Sequence, residues 1–219
     1  MAKSNPYKAR LFNIKHTLFD LFRWSGAPLL LWYRVKKIYE DKEQPKHVKG
    51  GALVVSNHIL YSDIMVLHST FWYRRLFFVV MKELFSNKFK SWFYHNCGCI
   101  PVDREKPSLS FFRETVKRLQ GGNLIAMFPE GHVSFSNDNP MAQFKSGAIL
   151  LAHQANVPII PVYREIRKNI FVRQKVVIGK PINLHEKYSL QLGMNEIERA
   201  TKDLFEKEQE LKAIYKRGK

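Results

Sequence analysis

The chain has 219 residues, of which 45% are hydrophobic and 25% are charged. This balance is typical of globular proteins and excludes a disordered or collagen-like chain. At about 150 residues per domain, the length favours one domain with room for a small annex. Lys and Arg number 36 against 19 Asp and Glu, a formal net charge of +17. Such a surplus favours an anionic partner: nucleic acid, an anionic membrane surface or phosphorylated small molecules.

The only cysteines, Cys97 and Cys99, exclude a disulfide framework and fit a reducing compartment such as the cytoplasm. No segment approaches the roughly 18 uninterrupted apolar residues of a membrane-spanning helix. Charges at positions 20, 23 and 34 interrupt the apolar stretch that a signal peptide needs. We therefore expect a protein that neither spans a membrane nor leaves the cell, but that can still lie on a membrane surface.

Residues 1–49 form a basic region with two helical patterns. The first consists of Leu11, Ile14, Leu18, Leu21 and Phe22; the second, after a break at Gly26 and Pro28, of Leu31, Val35, Ile38 and Tyr39. Eleven basic and four acidic residues give this region a charge of +7. Basic residues around an apolar face predict a pair of amphipathic helices at a membrane interface. Two ordinary helices packed on the domain, with solvated charges, fit the pattern equally well.

Residues 50–190 alternate between apolar, β-branched segments and amphipathic ones. Strands are predicted at 52–56, 76–81, 123–128, 157–163 and 171–178, and helices at 62–71, 87–95, 108–119 and 143–154. This alternation predicts an α/β domain with a central, mostly parallel sheet flanked by helices. Pro158 and Pro161 cannot donate to a sheet ladder, so they predict that their segment is a strand start or an edge strand.

Residues 191–219 carry dense Glu and Lys around a single apolar stripe. Ile197, Leu204 and Leu211 lie on that stripe. The pattern predicts a C-terminal amphipathic helix that packs on the domain and forms salt bridges on its outer face.

The most informative string is Ser-Asn-His-Ile-Leu-Tyr-Ser-Asp at positions 56–63, directly after an apolar strand. Open α/β sheets place their sites at such strand ends. His58 is a candidate general base, because histidine titrates near working pH. If the chain turns after His58, Asp63 can accept one imidazole N–H and fix the tautomer. The alternative is structural: Ser62 or Asp63 caps a helix and His58 is a polar loop residue.

A second polar turn, Phe-Pro-Glu-Gly at positions 128–131, follows the predicted strand at 123–128. Glu130 could hold a substrate hydroxyl, and Gly131 allows close backbone approach. Taken alone, this turn is also a routine one.

Two basic residues are candidate phosphate ligands. Lys145 precedes Gly147 at a predicted helix start, where backbone N–H groups attract anions. Arg104 offers a planar guanidinium suited to phosphate. A surface ion pair with Asp103 or Glu105 is the alternative for Arg104.

Taken in order and spacing, these strings resemble the glycerolipid acyltransferase family, which includes the bacterial 1-acyl-glycerol-3-phosphate acyltransferases. The resemblance covers roughly residues 45–185. Four motifs carry it. The first contains Asn57, His58 and Asp63, and the second covers positions 98–104. The third contains Phe128 to Gly131 and Ser134, the fourth runs from Val157 to Val162, and a Phe-Lys-x-Gly-Ala string lies at 144–148. In the third motif His132 and Val133 replace the family's usual Thr and Arg. That Arg is thought to help bind the acceptor's phosphate, which Val133 cannot do.

The resemblance implies His58 and Asp63 as catalytic residues and a substrate site formed by Asn57, Arg104, Glu130, Gly131 and Lys145, with neither a metal nor a cofactor. It implies transfer of a fatty acyl group from acyl-CoA or acyl carrier protein to a lysophospholipid hydroxyl, first of all that of 1-acyl-sn-glycerol-3-phosphate in phospholipid biosynthesis. The enzyme would be peripheral, on an anionic membrane surface at the cytoplasmic side of the cell membrane.

Other functions remain open on the residues alone. Val133 leaves room for another lyso-lipid acceptor that does not need the usual phosphate clamp, or for a catalytically inactive peripheral membrane module. The charge permits a nucleic-acid binder, but the sequence contains no zinc finger, basic zipper or RNP-like aromatic string. We therefore expect no nucleic-acid partner.

Overall fold

The fold is described from a computed structural model of the chain. It describes residues 20–21, 34–135, 141–167, 169, 171–188 and 192–217. The first predicted helix, with Leu11, Ile14, Leu18 and Phe22, lies outside these residues except for the helical positions 20–21.

A seven-stranded sheet organises the described chain, in the order β1-β7-β6-β2-β5-β3-β4. Every neighbouring pair is parallel except β6 and β7, so β7 and β1 run against the other five strands. The predicted central, mostly parallel sheet is confirmed. The strands are β1 Lys36–Tyr39, β2 Ala52–Ser56, β3 Leu76–Met81, β4 Ile100–Val102, β5 Leu124–Met127, β6 Ile159–Arg164 and β7 Lys175–Ile178.

Helices cover both faces of this sheet. They are α1 Asp63–Thr70, α2 Lys88–Asn96, α3 Leu109–Gln120, α4 Gly147–Ala155, α5 Leu184–Lys187 and α6 Met194–Arg217, with a 3₁₀ turn at Lys82–Phe85. Among the described residues, none of the helices combines the length and apolarity needed to cross a membrane. The helix predicted at 143–154 begins four residues later than expected, at Gly147.

Successive side chains of β2 point to opposite faces of the sheet, which explains why the core has two layers. Leu53 and Val55 pack with residues of α3, α4 and α6, whereas Ala52 and Val54 pack with residues of α1. All four are fully buried. A strand covered on both faces reads as an uninterrupted apolar run, which is why β2 stands out in the sequence.

From residue 34 onward, where the structure describes it, the second helix predicted in the N-terminal region is wrong. Its residues Val35, Ile38 and Tyr39 have helical spacing, but Lys36–Tyr39 form β1. This strand pairs in parallel with β7, about 140 residues away, and Lys36 N–H donates to the Gln174 carbonyl at 2.8 Å. Pairing with the free edge of β7 thus overrides the local helical spacing and favours a strand.

The prediction that the Pro158–Pro161 segment is an edge or a strand start is wrong as regards the edge. β6 lies between β7 and β2, although Pro158 does precede its first residue. Gly179 N–H donates to the Pro161 carbonyl at 2.8 Å, but Pro161 has no N–H to return the bond. Gln44 Nε2 donates to the Gly179 carbonyl instead, at 3.1 Å. A side chain thus replaces the missing ladder bond and permits proline inside the sheet.

Two glycines give a matched test of packing before β2 and at α4. A Cβ added to Gly51 would lie 2.0 Å from the Leu119 carbonyl oxygen, which belongs to the backbone of α3, whereas one added to Gly147 meets nothing within 4 Å. We expect Gly51→Ala to lower the free energy of unfolding by about 1–3 kcal/mol. Gly147→Ala should leave it unchanged or raise it by up to about 1 kcal/mol. Urea denaturation of the two variants measures both values, and equal midpoints would contradict the close packing at Gly51.

Candidate active site

The sequence motifs converge at one edge of the sheet. β6, β2 and β5 are adjacent and parallel. Their carboxyl ends therefore bring together the segments that begin at Arg164, Asn57 and Phe128. This edge is where parallel α/β sheets bind ligands.

His58 and Asp63 are in direct contact there. The His58 Nδ1 lies 2.8 Å from Asp63 Oδ2, and both residues are buried, with 8% and 1% of their surface exposed. An ionised carboxylate can only accept, so this contact places the proton of the neutral ring on Nδ1. The Nε2 lone pair is then available to take a proton. The ring stacks on Phe128, with centroids 4.0 Å apart and planes 11° apart.

The alternative reading of Asp63 as a helix cap does not hold. Its Oδ2 also accepts the N–H groups of Ile59 and Leu60, at 2.7 and 3.0 Å, and so closes the loop back onto residue 58. Ser62, the residue before α1, makes no capping side-chain bond. Asp63 therefore organises the loop that carries His58.

Arg164, which the sequence reasoning missed, completes the surroundings of Asp63. It is 2% exposed, and its guanidinium forms an ion pair with Asp63 Oδ1. Its backbone exchanges two hydrogen bonds with the Asn57 side chain: Asn57 Nδ2 donates to the Arg164 carbonyl at 2.9 Å, and Arg164 N–H donates to Asn57 Oδ1 at 3.1 Å. The predicted substrate ligand Asn57 thus extends the β2–β6 ladder and fixes the residue before His58.

Glu130 also uses its carboxylate within the protein. One oxygen accepts the His58 N–H at 2.9 Å and the other accepts the Ala142 N–H at 3.1 Å. The residue is only 5% exposed. Its contacts join the loops after β2 and β5, so the geometry favours positioning of His58 over the hydroxyl contact expected from the sequence.

The loop after β5 runs beside the His58 loop. Ser134 N–H donates to the His58 carbonyl at 2.9 Å, and Phe135 N–H donates to the Ile59 carbonyl at 3.0 Å. This pairing places Val133 at a cavity that His58 also lines. His132 Nδ1 lies 3.2 Å from the Glu130 carbonyl, inside the same turn.

The two candidate phosphate ligands lie close to each other. The Lys145 ammonium donates to the Arg104 carbonyl at 3.3 Å and lies near Gly131, where a Cβ would be 3.6 Å from Nζ. Gly131 has a φ of +74°, which favours glycine. Asp103 pairs with Lys82, which lowers the pKa of that carboxyl to about 2. Within the described chain the Arg104 guanidinium has no ion-pair partner, so the surface ion pair is not its role.

An apolar cavity of about 640 Å³ extends from His58. It runs between α1, β3 and α2, and Arg104 and Val133 also line it. Burial raises the pKa of Cys99, another lining residue, to about 12, and burial likewise raises that of Cys97. Both thiols are therefore neutral lining groups and not nucleophiles. Further lining residues are Ile64, Met65, His68, Phe78, Val80, Leu84, Phe93 and Tyr94.

A second carboxyl lies buried behind the site, on α6. Glu208 is fully buried, and its Oε1 accepts the Val162 N–H at 3.3 Å. Burial raises the pKa of Glu208 well above its usual value and the Glu130 charge adds to the rise, while the bond from Val162 opposes it. The environment thus favours a neutral carboxyl at this position.

Fold and site together define an α/β protein with a carboxylate-oriented histidine at the mouth of an apolar cavity. The sequence model of the Acyltransferase family matches residues 36–165. The chain belongs to this family, and several curated relatives bear the name 1-acyl-sn-glycerol-3-phosphate acyltransferase.

Two bacterial relatives illustrate the similarity. The 1-acyl-sn-glycerol-3-phosphate acyltransferase of Bacillus subtilis is 28% identical over 152 residues, 67% of this chain and 73% of the relative. That of Streptococcus pneumoniae is 29% identical over 72% of this chain, but the match spans only 60% of the relative.

The fold has a counterpart among solved structures. The crystal structure of the 1-acyl-sn-glycerophosphate acyltransferase PlsC from Thermotoga maritima superposes with a TM-score of 0.59. The superposition covers 92% of this chain and 81% of the PlsC chain, with 20% sequence identity. It therefore supports the fold.

Proposed function

We propose that this protein transfers a fatty acyl group from a thioester to the free hydroxyl of a lysophospholipid, with 1-acyl-sn-glycerol-3-phosphate as the first acceptor to test. The single observation that carries the proposal is the His58–Asp63 pair beside the apolar cavity. The imidazole can take a proton from an alcohol, and the cavity has the polarity and volume for an acyl chain. The names of the two bacterial relatives support the acceptor.

His58 Nε2 accepts the acceptor hydroxyl proton as the oxygen attacks the thioester carbon. The C–O bond forms, and the electron pair of the carbonyl π bond moves to the oxygen of a tetrahedral oxyanion. When the carbonyl re-forms, the C–S bond breaks, and the proton passes from the imidazolium to the departing thiolate. Asp63 stabilises the transient imidazolium and holds its orientation.

The thioester would be acyl-CoA or acyl carrier protein. Both carry phosphate on the pantetheine arm, and the Arg104 guanidinium at the cavity suits such a group. Lys145 lies close enough to contribute a second positive charge.

The acceptor need not be lysophosphatidic acid. Val133 occupies a cavity-lining position where the family usually has Arg. This observation favours, as the second candidate, another lyso-lipid whose recognition depends less on a phosphate monoester. A catalytically inactive peripheral module is the third reading, and turnover by the purified protein would exclude it.

The test is an acyl-transfer assay in mixed micelles with labelled acyl-CoA and labelled acyl carrier protein. The acceptors are lysophosphatidic acid, other lysophospholipids and hydroxyacyl amino-acid lipids. Esterification of at least one acceptor, lowered at least about 10²-fold in His58→Ala, supports the proposal. Absence of turnover with every donor and acceptor pair, by folded protein, overturns it.

Val133→Arg tests the acceptor directly. An added guanidinium in the cavity that Arg104 also lines can form charge-assisted bonds worth about 1.5–3 kcal/mol to a phosphate monoester. We therefore expect kcat/KM for lysophosphatidic acid to rise about tenfold or more relative to lysophosphatidylcholine. Val133→Met, which adds length without charge, is the control. An equal change for both acceptors would contradict a phosphate role at this position.

We further propose that the protein acts as a peripheral protein at the cytoplasmic face of the cell membrane. Its net charge of +17 and the charge of +7 in residues 1–49 support attraction to anionic lipid. Both proposed substrates carry fatty chains, which an enzyme at the bilayer surface can reach.

A further inference from the structure

Helix α2 has an unusual composition for its position. Four of its nine residues, in the sequence KFKSWFYHN, are aromatic, yet the helix contains no buried residue. Its principal packing partner is the short 3₁₀ turn that precedes it. Aromatic residues on a helix of a globular protein normally face the core, so these rings need another explanation.

The rings of α2 fall into two sets. Phe93 and Tyr94 line the cavity that also contains His58. Phe89 and Trp92 do not line it; they are 73% and 50% exposed and stack on each other, with centroids 6.0 Å apart. The same helix is therefore both a wall of the cavity and an exposed apolar surface.

A second exposed aromatic pair joins the loop after β2 to the loop after β5. Tyr61, in the loop between His58 and Asp63, lines the cavity and is 74% exposed. It packs edge-on against Phe135, which is 56% exposed, at 5.5 Å between centroids. Exposed rings thus occur on three elements that each contribute lining residues to the cavity: α2, the loop after β2 and the loop after β5.

The charges on α2 complement an anionic surface. Lys88 and Lys90 flank Phe89, and the helix contains no acidic residue. Within the described part of the chain neither lysine forms an ion pair. Aromatic rings at headgroup depth, with lysines beside them, are the composition of a segment in the membrane interface.

We propose that Phe89, Trp92, Lys88 and Lys90, together with Tyr61 and Phe135, form a docking surface for an anionic bilayer. α2 lies in the interfacial zone, and the cavity opens toward lipid. Acyl chains then pass between bilayer and cavity without crossing bulk water. This proposal rests on the proposed lipid substrates, but it concerns a surface separate from the basic N-terminal region. Four exposed rings favour a bilayer over an acidic soluble protein, for which lysines alone would suffice.

The test is sedimentation with vesicles of phosphatidylcholine, with and without phosphatidylglycerol, in the absence of substrate. Phe89→Ser/Trp92→Ser should lower the partition coefficient at least tenfold on both vesicle types. Lys88→Gln/Lys90→Gln should lower it several-fold per lysine, on anionic vesicles only. Met194→Ser, on α6 and also 73% exposed, and Lys202→Gln/Lys216→Gln, on the same helix, are the matched controls and should bind as the parent does.

In a variant whose only tryptophan is Trp92, the fluorescence of that residue reports how deeply α2 lies in the bilayer. Brominated lipid should quench its fluorescence on anionic vesicles. Unchanged partitioning of the α2 variants, or an unquenched Trp92, overturns the proposal. A raised KM for acyl carrier protein with unchanged vesicle binding also overturns it, and assigns the surface to an acidic protein. Because vesicle partitioning and fluorescence quenching need no turnover, these two outcomes are independent of whether the acyl-transfer proposal holds.

Discussion

Replacement of His58 by alanine is expected to lower kcat by about 10²- to 10⁴-fold, the usual contribution of a positioned general base. The ring contacts Asp63, Phe128 and the cavity, so its removal takes away the group proposed to accept the hydroxyl proton. The measurement is the steady-state rate with the best donor and acceptor of the panel.

His68→Ala is the matched control for this experiment. His68 lines the same cavity, on α1, with its ring against Phe78. It shares the residue type and the cavity but is not the proposed base, so kcat should change less than tenfold. Equal losses in both variants would show that the cavity, and not a general base, limits the rate. A thermal melt close to that of the parent protein must accompany the loss in His58→Ala.

Arg164→Met is expected to affect both stability and turnover. The substitution leaves the buried Asp63 carboxylate without its arginine partner, and breaking a buried pair from one side costs about 3–5 kcal/mol. Urea denaturation measures the free energy of unfolding. Because Asp63 also holds His58, kcat should fall more than KM rises. Lys202→Met, which removes the exposed Lys202–Glu206 pair, should cost less than about 1 kcal/mol.

Two further variants separate charge from geometry at Arg164. Arg164→Lys keeps the charge but loses the planar fork, so we expect partial recovery of stability and rate. Arg164→Met/Asp63→Asn removes both charges, and its destabilisation should be smaller than the sum of the two single effects. Additive losses would show that the two side chains do not interact in the folded protein.

The contact between His58 and Asp63 could be predicted from the chain because it is local. Four residues separate the two, and a single turn closes the distance. The strands of the parallel sheet were predictable for a similar reason, since burial on both faces leaves continuous apolar runs such as Ala52–Ser56. The position of the polar motifs directly after predicted strands was also visible, and open α/β sheets place their sites at such strand ends.

The roles of Arg164, Glu130 and Asn57 depended on contacts far apart in the chain. A basic residue after an apolar strand resembles a surface residue, and only the neighbouring positions of β6 and β2 bring Arg164 to Asp63. Glu130 turned inward because the loop after β5 lies beside that after β2. The sequence alone thus determined the family motifs, the α/β class and the His58–Asp63 contact, all of which are encoded by local pattern. The tertiary structure decided that residues 36–39 form β1, that Pro161 lies inside the sheet and that Arg164 contacts Asp63. Each of these features depends on a partner about 100 or more residues away.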